Sequence, residues 1–224
     1  IGSELIPLVD TKQNGELLER INDIRRQIII DLGLVTPPIR IRDNTNIHKN
    51  EYCIKIKNHL IGNFNIFPEK LVIMKPENND NIQGESCTEP VFGLSVKWIN
   101  KDDKEKAEKS GSNVYDATTI LATHLKEIIR KFGYELLTRQ AVQEMIDALK
   151  KKTPVLVEGI IPEKISVAKV HRLLQTLLKK QISIRNFIDI LETIGDHIDD
   201  NFSVEKLSEY LIKEQNRFKC LHDA

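Results

Sequence analysis

The chain has 224 residues, 40% of them hydrophobic, with 33 Lys plus Arg set against 33 Asp plus Glu. That length admits one large domain or two to three small ones, and the apolar content suffices for a packed core. A formal charge of zero argues against a dedicated nucleic-acid binder and against an acidic solvating tail, and no apolar run reaches the ~18–20 residues of a membrane span.

The first third reads as mixed α/β. Leu5-Ile6-Pro7-Leu8-Val9-Asp10 is a short apolar run before a turn. Asn14 is placed to cap a helix running to about Leu32, because Leu17, Leu18, Ile21, Ile24, Ile28 and Leu32 recur at three- and four-residue steps. Arg25 and Arg26 fall on its solvated face, and Gly33 is placed to end it in a left-handed cap. Pro37-Pro38 forces an extended path into Ile39-Arg40-Ile41-Arg42, which alternates as a strand, and Asp43-Asn44 reads as a turn. Glu51 to Lys57 alternates again, with Tyr52, Ile54 and Ile56 on one side. Asn58-His59 then predicts a hairpin turn into Leu60 through Phe67.

Residues 68–116 read as a smaller insert. Leu71 to Met74 is a strand, and Lys75 to Glu85, rich in Asn, Asp and Gly, is a solvated loop. Ser95 to Ile99 is a further strand, with Trp98 as a core residue. Asp102 to Lys109 is a short charged helix stopped by Gly111, and Asn113-Val114-Tyr115 is extended. Asp116 then caps a helix carrying Ile120, Leu121, His124, Leu125, Ile128, Ile129 and Phe132 on one stripe. Thr138, Ser166, Ser183 and Ser203 each precede apolar periodic runs, so the chain from about residue 137 onward is predicted to be all helical. The fold class expected is α+β and multi-module: an α/β first module (1–67 with 117–136), an inserted small α/β module (68–116) and an all-α helical module (137–224).

Motifs of chemistry are absent. No Cys-x-x-Cys, His-Glu-x-x-His, Gly-x-Ser-x-Gly, Walker-type or Gly-x-Gly-x-x-Gly run occurs, so no enzyme, cofactor or metal site is expected. Three widely spaced cysteines, Cys53, Cys87 and Cys220, fit a reducing compartment without a disulfide framework. His124, on an apolar stripe, is expected to be a hydrogen-bonded core histidine. The chain begins Ile1-Gly2-Ser3-Glu4, with neither an initiator methionine nor a charged-then-apolar leader, and is expected to be a processed product or a piece of a longer polypeptide. Phe92, between Pro90 and Gly93, has two readings. It plugs the local core, or it stands as a rigid aromatic anchor with an acid nearby, suited to a partner's amphipathic helix.

Several segments in order resemble the cytoplasmic region of the FlhA/InvA/YscV family, the large export-gate components of flagellar and virulence type III secretion. They are Leu5 to Asp10, Gly15 to Ile21, Ile24 to Gln27, Pro37 to Asn44, Glu89 to Leu94, Trp98-Ile99, Ala122 to Leu125, Glu135 to Gln140 and Ser183 to Asn186. The segment Leu173 to Glu192 resembles the flagellar branch more than the virulence branch. The resemblance implies a soluble region below an inner-membrane domain, assembled into a ring that is usually nine-fold. It also implies a fourth α/β module, expected to be missing from a chain that stops at Ala224. Membrane attachment would then come only from the N-terminal domain, and no nucleic-acid partner is implied.

A docking site follows from the same resemblance. Late export chaperones carrying cargo dock in a hydrophobic dimple between the first module and the insert. The family's acidic-Pro-x-Phe element matches Glu89-Pro90-Val91-Phe92, its helix element matches Ile120 to Thr123, and a neighbouring apolar position falls at Tyr115. The partner-binding set implied is therefore Glu89, Pro90, Phe92, Tyr115, Ile120 and Thr123. Glu89 stands where flagellar members commonly have aspartate, and Tyr115 is bulkier than the usual small aliphatic. Both are expected to reshape the dimple. Further partners implied are the export ATPase complex with its stalk and the cytoplasmic domain of the switch protein. The alternative function is a structural module acting mainly through self-association in the ring.

Overall fold

The computed structural model describes residues 1–13, 15–74, 82–197 and 203–222, with the side chains of residues 11 and 214–222 left aside. The predicted Asn14 cap and most of the loop predicted at Lys75 to Glu85 lie outside the described residues. The chain is mixed α and β, with small antiparallel sheets and a helical second half. It divides into two compact units, one of residues 1–24 with 38–129 and one of residues 25–37 with 130–224.

Among the described residues the strands all lie in the first unit. β1 (Glu51–Ile56) and β2 (His59–Asn65) form an antiparallel hairpin, and Tyr52 on β1 is 1% exposed. Its turn sits at Lys57-Asn58, both with positive φ, one residue earlier than predicted. A two-residue hairpin loop that follows strand twist needs two left-handed residues, and the asparagine supplies one of them readily.

The second sheet has the order β4-β5-β3-β6, antiparallel throughout: β3 (Lys70–Met74), β4 (Glu85–Thr88), β5 (Ser95–Asn100) and β6 (Val114–Asp116). Alternation divides its residues between two faces. Ile73 and Ile99 bury against Ala107 of the short helix α2 (Lys104–Lys109), with Leu71, Ile82 and Val114 around them. Val72, Met74, Val96, Trp98 and Tyr115 share the opposite face by register. Trp98 is 2% exposed and meets the Phe67 ring edge-on at 5.2 Å. β4 escaped the sequence reading because Glu85-Ser86-Cys87-Thr88 has no apolar alternation; it is an edge strand, mostly exposed.

Two long helices each cross from one unit to the other along the chain: α1 (Leu17–Leu32) and α3 (Ala117–Leu136). Asp116 caps α3 as predicted, its Oδ1 accepting from the Thr119 N–H at 2.6 Å. In the second unit follow α4 (Arg139–Lys150), α5 (Pro154–Glu158), α6 (Val167–Lys179), α7 (Phe187–His197) and α8 (Val204–His222). Thr138, Ser166 and Ser203 accept from the backbone N–H three residues on, as N-caps do. The core of this unit holds Leu173, Leu174, Leu177, Ile184, Leu191 and Ile194, all essentially without exposure. α6 is also tied to the end of α3 by polar bonds. His171 Nε2 and Gln175 donate to the carbonyls of Leu137 and Tyr134, and Gln181 donates to that of Arg130. At Tyr134 and Leu137, side chains thereby serve carbonyl groups that the end of a helix leaves open.

Three expectations are corrected. Ile39 to Arg42 is not a strand: residues 33–44 have no regular structure. Pro37 and Pro38 lack donors, and main-chain bonds at Arg42 and Asn44 go to Ile1 instead, from Ile1 N to Arg42 O at 2.7 Å and from Asn44 N to Ile1 O at 2.9 Å. The helix predicted from Ser183 begins at Phe187, because the Ile184 N–H is given to Leu32 O at 2.8 Å and holds that stretch outside the helix. Arg25 is not simply solvated. It donates through Nη2 to Thr36 O at 3.1 Å, and Thr36 is 3% exposed. Among the described residues no helix is long and apolar enough to cross a membrane.

Gly33 ends α1 with φ +72°, as the sequence predicts, and a Cβ there would lie 2.4 Å from Arg185 N and 2.5 Å from its Cα. Left-handed backbone alone costs a non-glycine residue about 1–2 kcal/mol, and the backbone clash adds to it. Gly33→Ala is expected to lower stability by more than about 2 kcal/mol, read as a lower urea midpoint at unchanged slope.

Candidate functional site

The connection between β4 and β5 is six residues long, Glu89 to Leu94, and its centre is a side chain. Glu89 is 3% exposed. Its Oε2 accepts the Val91 N–H at 2.6 Å, and its Oε1 accepts those of Phe92 at 2.8 Å and Leu94 at 2.9 Å. The Glu89 N–H donates in turn to Leu94 O at 2.9 Å. A loop this short has no ladder to satisfy its donors, so the carboxylate does so with charge-assisted bonds. Pro90 presets φ at the start of the turn, and Gly93 takes φ +69° at its end. With the backbone turned inward, the side chains turn out: Phe92 is 63% exposed and Leu94 49%.

Beside this loop lies an open cavity of about 220 Å³ lined by Met74, Glu89, Val91, Phe92, Tyr115, Thr119, Ile120 and Thr123. Met74 and Tyr115 come from one face of the four-stranded sheet, and Thr119, Ile120 and Thr123 from the first turns of α3. Spacings of four and three put Thr119 and Ile120 each beside Thr123 on the helix surface. Of the six residues predicted from sequence, Glu89, Phe92, Tyr115, Ile120 and Thr123 line the cavity together, and Pro90 shapes the loop without lining it. Phe92 is therefore not sealed in a local core.

Met74, Val91 and Thr119 were not singled out by the sequence reading. Thr119 lies one turn before Thr123 on the same helix, which is the signal that would have found it. Arg20 was missed as well: on α1, it donates to Thr119 Oγ1 at 2.7 Å and to Asp116 Oδ2 at 3.3 Å, and pairs with Glu16 at 3.1 Å.

Elsewhere in the same unit, Tyr52 and His124 share a hydrogen bond, Oη to Nδ1 at 2.7 Å, with the rings edge to face at 5.7 Å. His124 is 6% exposed, which matches the core histidine expected. Burial pushes the Tyr52 hydroxyl well above its ordinary range, and the nearby Glu89 charge adds to the shift. Burial pushes His124 below its ordinary value, opposed in part by Glu89. Both rings are thus neutral at pH 7. Among the described residues no cluster of His, Cys, Asp and Glu is placed to hold a metal ion.

Comparison with known proteins converges on one family. Residues 1–219 match the FHIPEP family. The flagellar biosynthesis protein FlhA of Bacillus subtilis is 40% identical over 210 residues, covering 93% of this chain and 31% of that protein. FlhA of Borreliella burgdorferi is 42% identical over 196 residues, covering 88% of this chain and 28% of that protein. The chain spans about a third of the length of the curated relatives it matches. Among solved structures, Chlamydia pneumoniae CdsV superposes with a TM-score of 0.81 at 23% identity, over 94% of this chain and 62% of that one. The nonameric EscV cytosolic domain of a type III secretion system gives 0.64 at 20% identity, over 88% of this chain and 58% of that one. These two likenesses establish a shared fold.

The buried histidine makes stability depend on pH. A folded-state pKa below the unfolded value of about 6.5 means that the unfolded chain binds the proton more tightly. Stability from this group is complete above about pH 6.5 and drains away as pH falls toward the folded value. Wild type is expected to lose more stability than His124→Gln between pH 7.5 and 5.5, measured as the shift in urea midpoint.

Proposed function

The chain belongs to the FHIPEP family, and from that premise we propose that it serves a flagellar protein-export gate as a non-enzymatic docking platform for export chaperones carrying cargo. One observation carries this reading: an aromatic ring, 63% exposed, stands on a loop locked by Glu89 over an open, mainly apolar cavity. Exposed aromatics on rigid backbone beside a pocket are the usual anchors for an amphipathic helix, because little ordering entropy remains to be lost. Glu89, Pro90, Phe92, Tyr115, Ile120 and Thr123 form the proposed contact set. The apolar residues receive the helix, and Glu89 and Pro90 hold the loop.

The wider setting is part of the same proposal. The chain would be the cytoplasmic part of a bacterial inner-membrane protein, handing substrates to the export channel. Its modules would be 1–67 with 117–136, the insert 68–116 and the helical 137–224. The four-stranded sheet draws every strand from the insert, which supports that division. Partners would include the export ATPase complex with its stalk and the switch protein's cytoplasmic domain. A nonameric ring is the proposed assembly. The solved complex of CdsV with CdsO and the nonameric EscV domain, proteins of the same fold, support partner binding and ring formation. A second reading, a module acting mainly by self-association, is favoured by that nonamer alone.

Phe92→Ala separates the two readings. The exposed ring makes few intramolecular contacts to lose, so the fold is expected to stay within about 0.5 kcal/mol of wild type. Titration calorimetry with the late flagellar chaperones of the same bacterium, each bound to its cargo, is expected to show capture abolished. Unchanged capture would sink the docking reading.

A further inference from the structure

α3 presents two threonines one turn apart to the cavity, Thr119 and Thr123. Elsewhere in the helices, Thr176 and Thr193 turn their hydroxyls back onto the carbonyl four residues earlier, at 2.9 and 2.8 Å. Among the described residues neither cavity threonine makes that bond. Thr119 instead accepts from a cation: Arg20 Nη1 donates to its Oγ1 at 2.7 Å. The same guanidinium reaches Asp116 Oδ2 at 3.3 Å, while Asp116 Oδ1 caps the Thr119 N–H at 2.6 Å. Arg20 is only a third exposed and Asp116 about half. The fork thus holds the start of α3 at two points with one rigid plane, a task that suits arginine better than lysine.

The consequence is chemical. A hydroxyl has one hydrogen to donate and two lone pairs to accept with. Once an arginine N–H occupies a lone pair, the Thr119 hydrogen points away from that donor, and the cation polarises the O–H so that it donates more strongly. We propose that Arg20 is a positioning residue of the cavity: it fixes Thr119 as a hydrogen-bond donor and so selects an occupant carrying a neutral acceptor oxygen, an amide or hydroxyl side chain, beside its apolar residues. Glu89 lines the same cavity, and its charge disfavours a carboxylate in that place. This inference rests on the docking reading for its occupant, and on the free protein for its geometry.

Each part has its own measurement. In the free protein, methyl NMR of Thr119 reports its χ1. Arg20→Met is expected to shift the Thr119 methyl signal toward a rotamer average, with Arg20→Lys between it and wild type. An unmoved Thr119 signal in Arg20→Met overturns the positioning role, whatever binds the cavity. In calorimetry with the chaperone–cargo complexes, Arg20→Met is expected to weaken binding by up to about tenfold, the size of one neutral hydrogen bond that Thr119 no longer makes in the right direction, and Arg20→Lys less. In a Thr119→Val background the same Arg20→Met change is expected to cost less than about twofold, because its target is gone. An undiminished loss in that background overturns the proposal. Should Phe92→Ala leave binding intact while Arg20→Met moves the Thr119 signal, the docking reading fails and the positioning of Thr119 stands.

Discussion

A single buried carboxylate organises the most exposed aromatic among the described residues, Phe92. Glu89 accepts three main-chain N–H groups within five residues of itself, at 2.6 to 2.9 Å. Burying a charge is costly unless it is fully hydrogen-bonded, and here the loop's otherwise idle donors do the bonding. The exchange works in both directions, since those donors would be orphans in a connection this short without an acceptor. Because the backbone closes on the carboxylate rather than on packed side chains, Phe92 and Leu94 are left free to face outward. The position where flagellar relatives are expected to carry aspartate here has one more methylene, and that length suits a carboxylate that must reach from residue 89 to the N–H of residue 94.

The wall opposite the loop is built differently. Met74 and Tyr115 are fixed by strand register, and Thr119, Ile120 and Thr123 by helix geometry. Neither set needs a special backbone conformation. The same unit holds a neutral Tyr52–His124 pair, buried and close enough to Glu89 to feel its charge. The cavity therefore joins a rigid floor of regular structure to a loop whose shape depends on one side chain. Its tolerance to substitution should follow the same division. Wall residues change size and polarity of the space, whereas Glu89 determines whether the rim exists.

Much of this was legible because it is local. Asp116, Thr138, Ser166 and Ser203 cap helices that the apolar period announces, and Gly33 ends α1 where a left-handed residue is required. Ser183 failed as a cap because its hydroxyl accepts from the Arg185 N–H, two residues on, in a turn that the bond from Ile184 N to Leu32 O tethers outside the helix. Ile39 to Arg42 failed for a related reason. Alternation records which side of a chain is apolar, but a strand also needs a ladder, and here the main-chain bond at Arg42 goes to Ile1 rather than to a strand. At the site, Phe92 and Gly93 were visible as an aromatic on a tight turn, and the resemblance marked the helix positions. Arg20 was invisible because its partners Thr119 and Asp116 lie 99 and 96 residues away, and no periodicity in a sequence encodes such a meeting.

Size limits how firmly such a cavity can hold anything. About 220 Å³ has room for one or two side chains. Fully burying a Phe contributes about 1.5–3 kcal/mol, and Phe92 is already partly covered, so it supplies roughly half of that. With comparable area from the visitor and one hydrogen bond, less the cost of association, a lone contact is of millimolar to micromolar order. For the proposed platform, which would have to release what it receives, weakness is a requirement rather than a defect. It also makes assembly matter under the proposed function. Several such cavities presented together raise the effective concentration of a tethered or multivalent visitor by orders of magnitude without any new contact. Docking and ring formation, separable as readings, then become two terms of one affinity: the cavity sets which side chains are recognised, and the number of copies sets how long the visitor stays.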